Sequence, residues 1–463
     1  MLSKTLETRH LNMIALGGSI GTGMFLTSGV AINQAGPGGA LCAYLIISLM
    51  VFFLITSLGE LSTHMPSTGS FCEYSGLYVN KSYGYAMSIN YWFNWAITIA
   101  AEISAAVIVI KFWFPQGSDF FFSLIFFIAI VFLNLFSVRV YGEIEWLLSI
   151  IKVSIIVIFI LLGAFLVFKQ PNFGAHNFVL ADAPFHNGLK GFFAVFLVAG
   201  FAFQGSELIG INSGETKNPS KSIPRAVKNV FWRLLMFYIL GTLIISLLIP
   251  YTDLAVNGDI KTSPFTIVFS HYISNSLATN ILNFVILIAI LSAANASMYA
   301  ATRSLWYMAH SSNAPAIFAK ITNYGLPINA LIATSLIGSS VFLSSFIGSG
   351  LLFNHLLNIS SSCGFLAWFG IALSHFMFRR HFIKDVTTLK YRAIWFPFGT
   401  IFSMILIAIV ILGQGYSLIG NYTNGGFIDA YGSLILFIFL MIYYKYFRKN
   451  IYKENKFKAK FDE

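Results

Sequence analysis

Long apolar stretches separated by short polar ones recur along this chain, at approximately 11–35, 39–62, 84–113, 120–137, 144–168, 189–213, 229–250, 277–306, 328–347, 353–377, 396–413 and 430–447. A helix needs roughly 20 apolar residues to cross the hydrocarbon of a bilayer. The pattern therefore predicts an all-α membrane protein of about twelve transmembrane helices. A β-barrel would show short segments of alternating polarity instead. These runs are too long and too uniformly apolar for that.

Two of the runs are interrupted by small residues at corresponding places. The first patch is Gly17-Gly18-Ser19-Ile20-Gly21-Thr22-Gly23, and the second runs from Gly200 through Phe201, Ala202, Phe203, Gln204, Gly205, Ser206 and Glu207 to Gly210. A membrane helix satisfies its own backbone polar groups, so a break in mid-membrane is tolerable only where protein or a watery cavity covers the freed groups. Paired breaks in two halves of a chain point to the substrate site of a secondary transporter. Helices 1–5 (residues 1–170) and 6–10 (residues 189–380) would form the two halves, with an odd number of spans in each giving an inverted repeat of five plus five. Helices 11–12 (394–447) are then a peripheral addition, followed by a basic tail at 448–463. Two semi-polar segments, His64–Tyr83 and Ser311–Gly325, stand after the second and eighth spans and are expected along the inner surface as gating or interfacial elements.

Composition agrees with the pattern: 57% of residues are hydrophobic and only 10% charged, which excludes a soluble globular protein. The first run is too long and too glycine-interrupted for a signal peptide and is expected to stay. Cys42, Cys72 and Cys363 are too few and scattered for a disulfide framework or a metal site. The net charge of +11 is unevenly placed. With both termini cytoplasmic, inner segments hold Lys4, Arg9, Lys81, Arg139, the Lys217–Arg233 cluster, Arg303, Lys320, Arg379, Arg380 and the Lys445–Lys460 tail. The outer side keeps Lys111, Lys169, Lys190 and Lys261. That asymmetry satisfies the positive-inside rule and explains the basicity through topology and membrane lipids, with no nucleic acid involved.

The residues at the breaks suggest what is carried. A half-helix beginning after the first patch presents unsatisfied N–H groups and partial positive charge, suited to a carboxylate, with the Ser19 and Thr22 hydroxyls adding donors. Tight helix packing through small residues is an equal alternative for these glycines. At the second patch the last carbonyls of a helix, on Phe201, Ala202 and Phe203, would accept from an ammonium group, and Phe203 could close over an aliphatic stem. Together the breaks point to a zwitterion, an α-amino acid.

Ionisable groups at a helix centre cost about 2.5–3.5 kcal/mol on insertion scales, so each needs a reason. Glu207 at the second break is expected to bind a proton or the substrate amine. Lys152, on the fifth span, is expected to face the first broken helix and couple transport to protons, or to act as a fixed counter-charge. Glu102, deep in the third span, is a candidate partner for a second substrate ammonium, and Glu60 is structural or gating. On the eighth span Ser292, Asn295 and Tyr299 share a helical face, either holding helices together or lining the pathway. The Tyr91-Trp92-Phe93-Asn94-Trp95 stretch reads as core packing.

At these residues the chain resembles the amino acid permeases of the amino acid–polyamine–organocation superfamily. The matching segments are GGSIGTG, GPGGA at Gly36–Ala40, SLGEL at Ser57–Leu61, GFAFQGSELIG with GETKNPSKSIPRA, and LSAANASMYAATRSLW in the eighth span. Within the family the resemblance is strongest to bacterial lysine carriers, in NYWFNWAITIA, LSIIKVSIIVIF, KNVFWRLLMFYIL and LIPYTD. It implies a leucine-transporter-like fold and proton-coupled uptake of a cationic amino acid across the bacterial inner membrane. The first break (Ser19, Ile20, Gly21, Thr22, Gly23) would take the α-carboxylate, and Phe201, Ala202 and Phe203 the α-amino group. Glu207 and Lys152 match positions proposed for proton coupling, while Glu102, Ser292 and Asn295 complete the candidate substrate site. No cofactor is expected beyond the proton. Alternatives are a permease for histidine, an aromatic amino acid or γ-aminobutyrate, or one that also senses amino acids for a membrane-bound regulator. A channel lacks its filter. No nucleophile–base pair or metal set points to an enzyme.

Overall fold

The computed structural model describes residues 20–136, 138–254, 263–273, 276–322, 325–382, 386–418 and 424–448. Among the described residues the regular structure is helical throughout, without strands. Chain order gives α1 (Thr22–Phe25), α2 (Thr27–His64), α3 (Lys81–Ile110), α4 (Asp119–Leu133), α5 (Val138–Lys169), α6 (Gly188–Phe203) and α7 (Leu208–Asn212). There follow α8 (Pro219–Arg233), α9 (Ser276–His310), α10 (Ile328–Gly338), α11 (Ser349–Met377), α12 (Phe398–Gly413) and α13 (Asn424–Tyr443), with shorter helical segments between some of them. Nine helical stretches of the described chain are long and apolar enough to cross a membrane, and Asp119–Leu133 and Met236–Leu248 are shorter apolar helices. Ser19 and the basic tail lie outside the described residues.

The 38-residue α2 is two rods in one. Gly36 sits at φ +73°, a conformation that residues with a Cβ rarely adopt, and Pro37 starts the next rod with its φ already set. A Cβ at Gly36 would stand 2.6 Å from the Pro184 carbonyl. That carbonyl accepts from the N–H groups of Gly38 (2.9 Å) and Gly39 (3.1 Å), so the connection before α6 seals the bend. Asp182, on that connection, accepts from the Tyr251 hydroxyl at 2.5 Å and contacts His186 Nδ1 at 2.6 Å.

Burial sorts the helices into a core and a rim. In the most apolar window of α3, 89% of residues are buried, against 22% in α5 and 17% in α13. α3 packs on both α9 and α11, whereas large side chains such as Leu161, Phe168, Leu336 and Leu412 stay exposed. An apolar exposed surface of this extent belongs against lipid. The segment after α2, expected along a surface, is more deeply set: it forms the helix Ser70–Tyr74, whose Phe71 and Tyr74 are fully buried. Nearby, Glu60 lies 3.0 Å from Arg379 Nε and 3.2 Å from His375 Nε2, and accepts from the Ala393 N–H at 2.6 Å. Its carboxylate thus ties α2 to α11 and to the chain before α12.

The central helix has a defined start. The Asn80 side chain accepts from the Tyr83 N–H at 2.8 Å, capping the first turn of α3. Loss of such a cap costs about 0.5–2 kcal/mol. Asn80→Ala is therefore expected to lower the thermal midpoint of the detergent-purified protein, with Asn80→Asp restoring most of it; differential scanning fluorimetry reads both.

Candidate functional site

The second expected break is present, and the helix start at the end of the first glycine patch faces it; Gly17, Gly18 and Ser19 lie outside the described residues. At the first, Gly21 is extended (φ −148°, ψ −143°) and α1 begins only after it. The N–H groups of Met24 and Phe25 return to the Gly21 carbonyl at 3.1 and 3.2 Å, which leaves the N–H groups of Thr22 and Gly23 to partners outside the helix. At the second, α6 stops at Phe203, Gln204 turns out with ψ 153°, Gly205 takes φ +91°, and helix resumes at Leu208. Gly205 is required there by its positive φ. The two breaks touch through their backbones: a Cβ on Gly23 would lie 2.2 Å from Ala202 Cα.

Between them is a small cavity. α3 contributes Trp95, Thr98 and Glu102, the first break Gly21 and Gly23, the second Phe201, Ala202 and Gln204, and α9 Ala293 and Ser297. Glu102 is the charged group of this lining. Its carboxylate accepts from the Thr22 hydroxyl and from the Thr22 N–H, so it reaches across to the start of α1. A Cβ on Gly21 would meet Ala293 Cβ at 2.7 Å and Glu102 Oε1 at 3.4 Å.

The carbonyls at the end of α6 are already partly engaged. Ala202 O accepts from the Tyr238 hydroxyl, Phe203 O from Ser206 Oγ at 2.8 Å, and Phe201 O from the Gln204 N–H at 3.3 Å. Phe203 O also accepts from the Ser206 N–H at 3.4 Å, so a second lone pair remains on the Phe201 and Ala202 carbonyls. The Phe203 ring, expected over the cavity, instead packs between Tyr44 and Tyr238 with centroids 6.0 and 4.3 Å away. Ile20 is buried but stands outside the lining.

Glu207 also sits away from the lining. It accepts from Trp368 Nε1 at 3.2 Å, Gly205 N at 3.3 Å and the Tyr91 hydroxyl at 3.5 Å, pinning the second break to α11 and α3. Lys152 is fully buried on α5, 3.5 Å from Glu145 Oε1. Ser292 and Asn295, which the family resemblance placed at the substrate, instead take the other role their stripe offered and hold helices together. Ser292 Oγ is 2.9 Å from both oxygens of Glu145, and Asn295 Oδ1 accepts from Asn134 at 2.8 Å. The reason is angular: each residue advances a helix by about 100°, so the face carrying Ala293 and Ser297 to the cavity turns Ser292 and Asn295 aside. Tyr299, on the same stripe, donates to Glu215 at 3.0 Å, and Arg303 lies 3.4 Å from that carboxylate.

Sequence reasoning passed over several cavity groups. Trp95, assigned to the core, lines the cavity, as does Thr98. Gln204 lies in a closed polar network: it donates to Ser360 O at 2.9 Å and accepts from Asn94 at 3.2 Å, while Ser360 Oγ donates to Asn94 Oδ1 at 2.8 Å. Glu145 was also overlooked, although a second charge seven residues before Lys152, and so on nearly the same helix face, was a legible signal.

The hydrogen bonds to Glu207 make it testable as a clamp. Its loss strands buried donors, at about 1–3 kcal/mol. Glu207→Ala is expected to lower thermal stability markedly and to change Trp fluorescence through Trp368, whereas Glu207→Gln, which keeps an acceptor, changes both far less.

With this geometry in view, similarity to known proteins is informative. The amino acid permease family model matches residues 10–456. The lysine-specific permease LysP of Escherichia coli (strain K12) is 47% identical over 96% of this chain and 93% of its own length. LysP of Lactococcus lactis subsp. cremoris (strain MG1363) is 44% identical over 97% and 91%. The histidine permease HisP of that organism is 40% identical over 96% and 95%. These relatives are transporters rather than enzymes, and their amino acid cargo accords with a cavity between two broken helices. The chain is a multi-pass membrane protein that belongs to the amino acid permease family.

Proposed function

We propose that this protein is a proton-coupled symporter that brings a cationic amino acid, lysine first among them, into the cytoplasm of a bacterium by alternating access. The observation that carries the reading is Glu102: a buried carboxylate lining the cavity between the two breaks. A buried charge is costly until it is paired. A cargo with a second ammonium supplies that pair, and a neutral one does not. The α-carboxylate would take the N–H groups around Gly21 to Gly23, and the α-ammonium the remaining lone pairs of Phe201 and Ala202, with Phe203, whose carbonyl already serves Ser206, fixing the end of the helix behind them. Ser19 would join the carboxylate site. Lys152, paired with Glu145, is the group through which proton binding would be felt at the cavity; Glu207 is the second candidate, acting on the break itself.

The architecture we infer for this function has twelve spans, five plus five inverted and two peripheral. Both termini lie in the cytoplasm, and the protein sits in the inner membrane. The bend at Gly36 supports the separation of the first two spans. The two lysine-specific relatives support the cargo. HisP, at 40% identity, favours histidine as the second reading, since a protonated imidazole would also meet Glu102.

Reconstituted in proteoliposomes with acid outside, the protein is expected to accumulate labelled lysine. Accumulation should end when a protonophore and an ionophore collapse the gradients, and excess lysine should compete. Uptake indifferent to the gradients counts against coupling, and competition by histidine alone would reassign the cargo. A separate expectation concerns the first break. Gly21→Leu would press into Ala293 and Glu102, abolishing lysine binding in a scintillation proximity assay while leaving expression near normal. Unchanged affinity would remove that break from the site.

A further inference from the structure

The cargo-facing carboxylate does not act alone. Behind the cavity wall, α5 carries Glu145 and Lys152, both with fully buried side chains and 3.5 Å apart between Oε1 and Nζ. They are two helical turns apart, and the lysine reaches back towards the helix start, the direction in which side chains on a helix lean. Ser292 of α9 holds the carboxylate from the other side, with its hydroxyl 2.9 Å from each oxygen. The next residue, Ala293, is part of the cavity wall. One residue of α9 therefore separates the ion pair from the cargo space. Glu102 flanks the same stretch of α9, since a Cβ on Gly21 would lie 2.7 Å from Ala293 Cβ and 3.4 Å from Glu102 Oε1, and Lys152 is near enough for its charge to bear on both carboxylates.

One lysine thus stands against two carboxylates. If Lys152 had Glu102 as its sole counter-charge, the cavity would be neutral and would gain nothing from a cationic side chain. When all three are ionised, Glu145 at 3.5 Å satisfies Lys152 on the far side, and the one negative charge left over falls to Glu102 at the cavity. We propose that Glu145 is a positioning residue for cargo specificity: by pairing with Lys152 behind the wall, it keeps Glu102 available to the cationic side chain of the amino acid. The inference rests on the cationic-cargo reading and adds to it a residue that touches neither cargo nor cavity.

The test uses the purified full-length protein and isothermal titration with lysine and, separately, norleucine, which is lysine without the side-chain amine. The quantity read is the ratio of the two dissociation constants. Glu145→Gln keeps the shape and an acceptor for Ser292 but removes the charge; it is expected to cut the preference for lysine by about tenfold or more, since charge interactions in a dry interior are strong. Glu145→Asp, which keeps the charge, should return most of the preference. Removing one member of a buried pair can itself unfold a protein, so the double variant Glu145→Gln/Lys152→Gln, which buries no lone lysine, serves as the second arm. With no lysine competing for Glu102, its preference should stand near the wild-type value. A wild-type ratio in Glu145→Gln, even with both affinities lowered, would make Glu145 merely structural and overturn the proposal. So would a double variant that has lost the preference. A wild-type protein that binds lysine and norleucine equally would instead sink the cationic-cargo reading, and this inference with it.

Discussion

An amide that loses its helical partner inside hydrocarbon must find another, because the solvent offers none. That constraint governs the centre of this protein. Helix begins only after the extended Gly21 and is left again at Gln204–Gly205, and the surrounding side chains converge on the groups freed at both places. Glu102 meets Thr22 at the first break. Tyr238, Ser206 and Glu207 hold the carbonyls and the turn at the second. The polar network of Asn94, Gln204 and Ser360 then ties the second break to α3 and α11. Functional groups and structural supports here are largely the same atoms.

The same economy governs the buried charges. Glu60 is held by His375 and Arg379, Glu145 by Lys152 and Ser292, and Glu215 by Arg303 and Tyr299. Each set joins helices distant in sequence, so neutralising a charge and fastening the bundle are one act. Glu102 differs because its neighbours at the cavity are a hydroxyl, an amide and open space, with Lys152 set further back. It is the acid with room beside it.

Much of this was legible from the residues. The apolar runs located the helices because hydrocarbon thickness imposes a length that few other constraints do. The breaks were legible because glycine at positive φ, as at Gly205, has few other reasons to stand in a membrane helix. Direction was not. Periodicity placed Ser292, Asn295 and Tyr299 on one face, but only packing decides whether a face turns to a cavity or to a neighbouring helix. Trp95 shows two roles coinciding, since it lies in the buried core as its sequence suggested and also walls the cavity, and one sequence signature covers both. Glu145 was missed because it stands at the edge of its apolar run beside Glu143, where an acid reads as the end of a span.

The contact of Gly23 with Ala202 has a mechanical meaning. With no side chain between them, the two interrupted rods lie spine to spine, a Cβ at Gly23 falling only 2.2 Å from the neighbouring Cα. Such a junction has no soft layer in which one rod could slip past the other, since packed interiors resist compression. They are held at one separation, like the jaws of a fixed caliper, so the groups that face each other across the cavity keep a constant span.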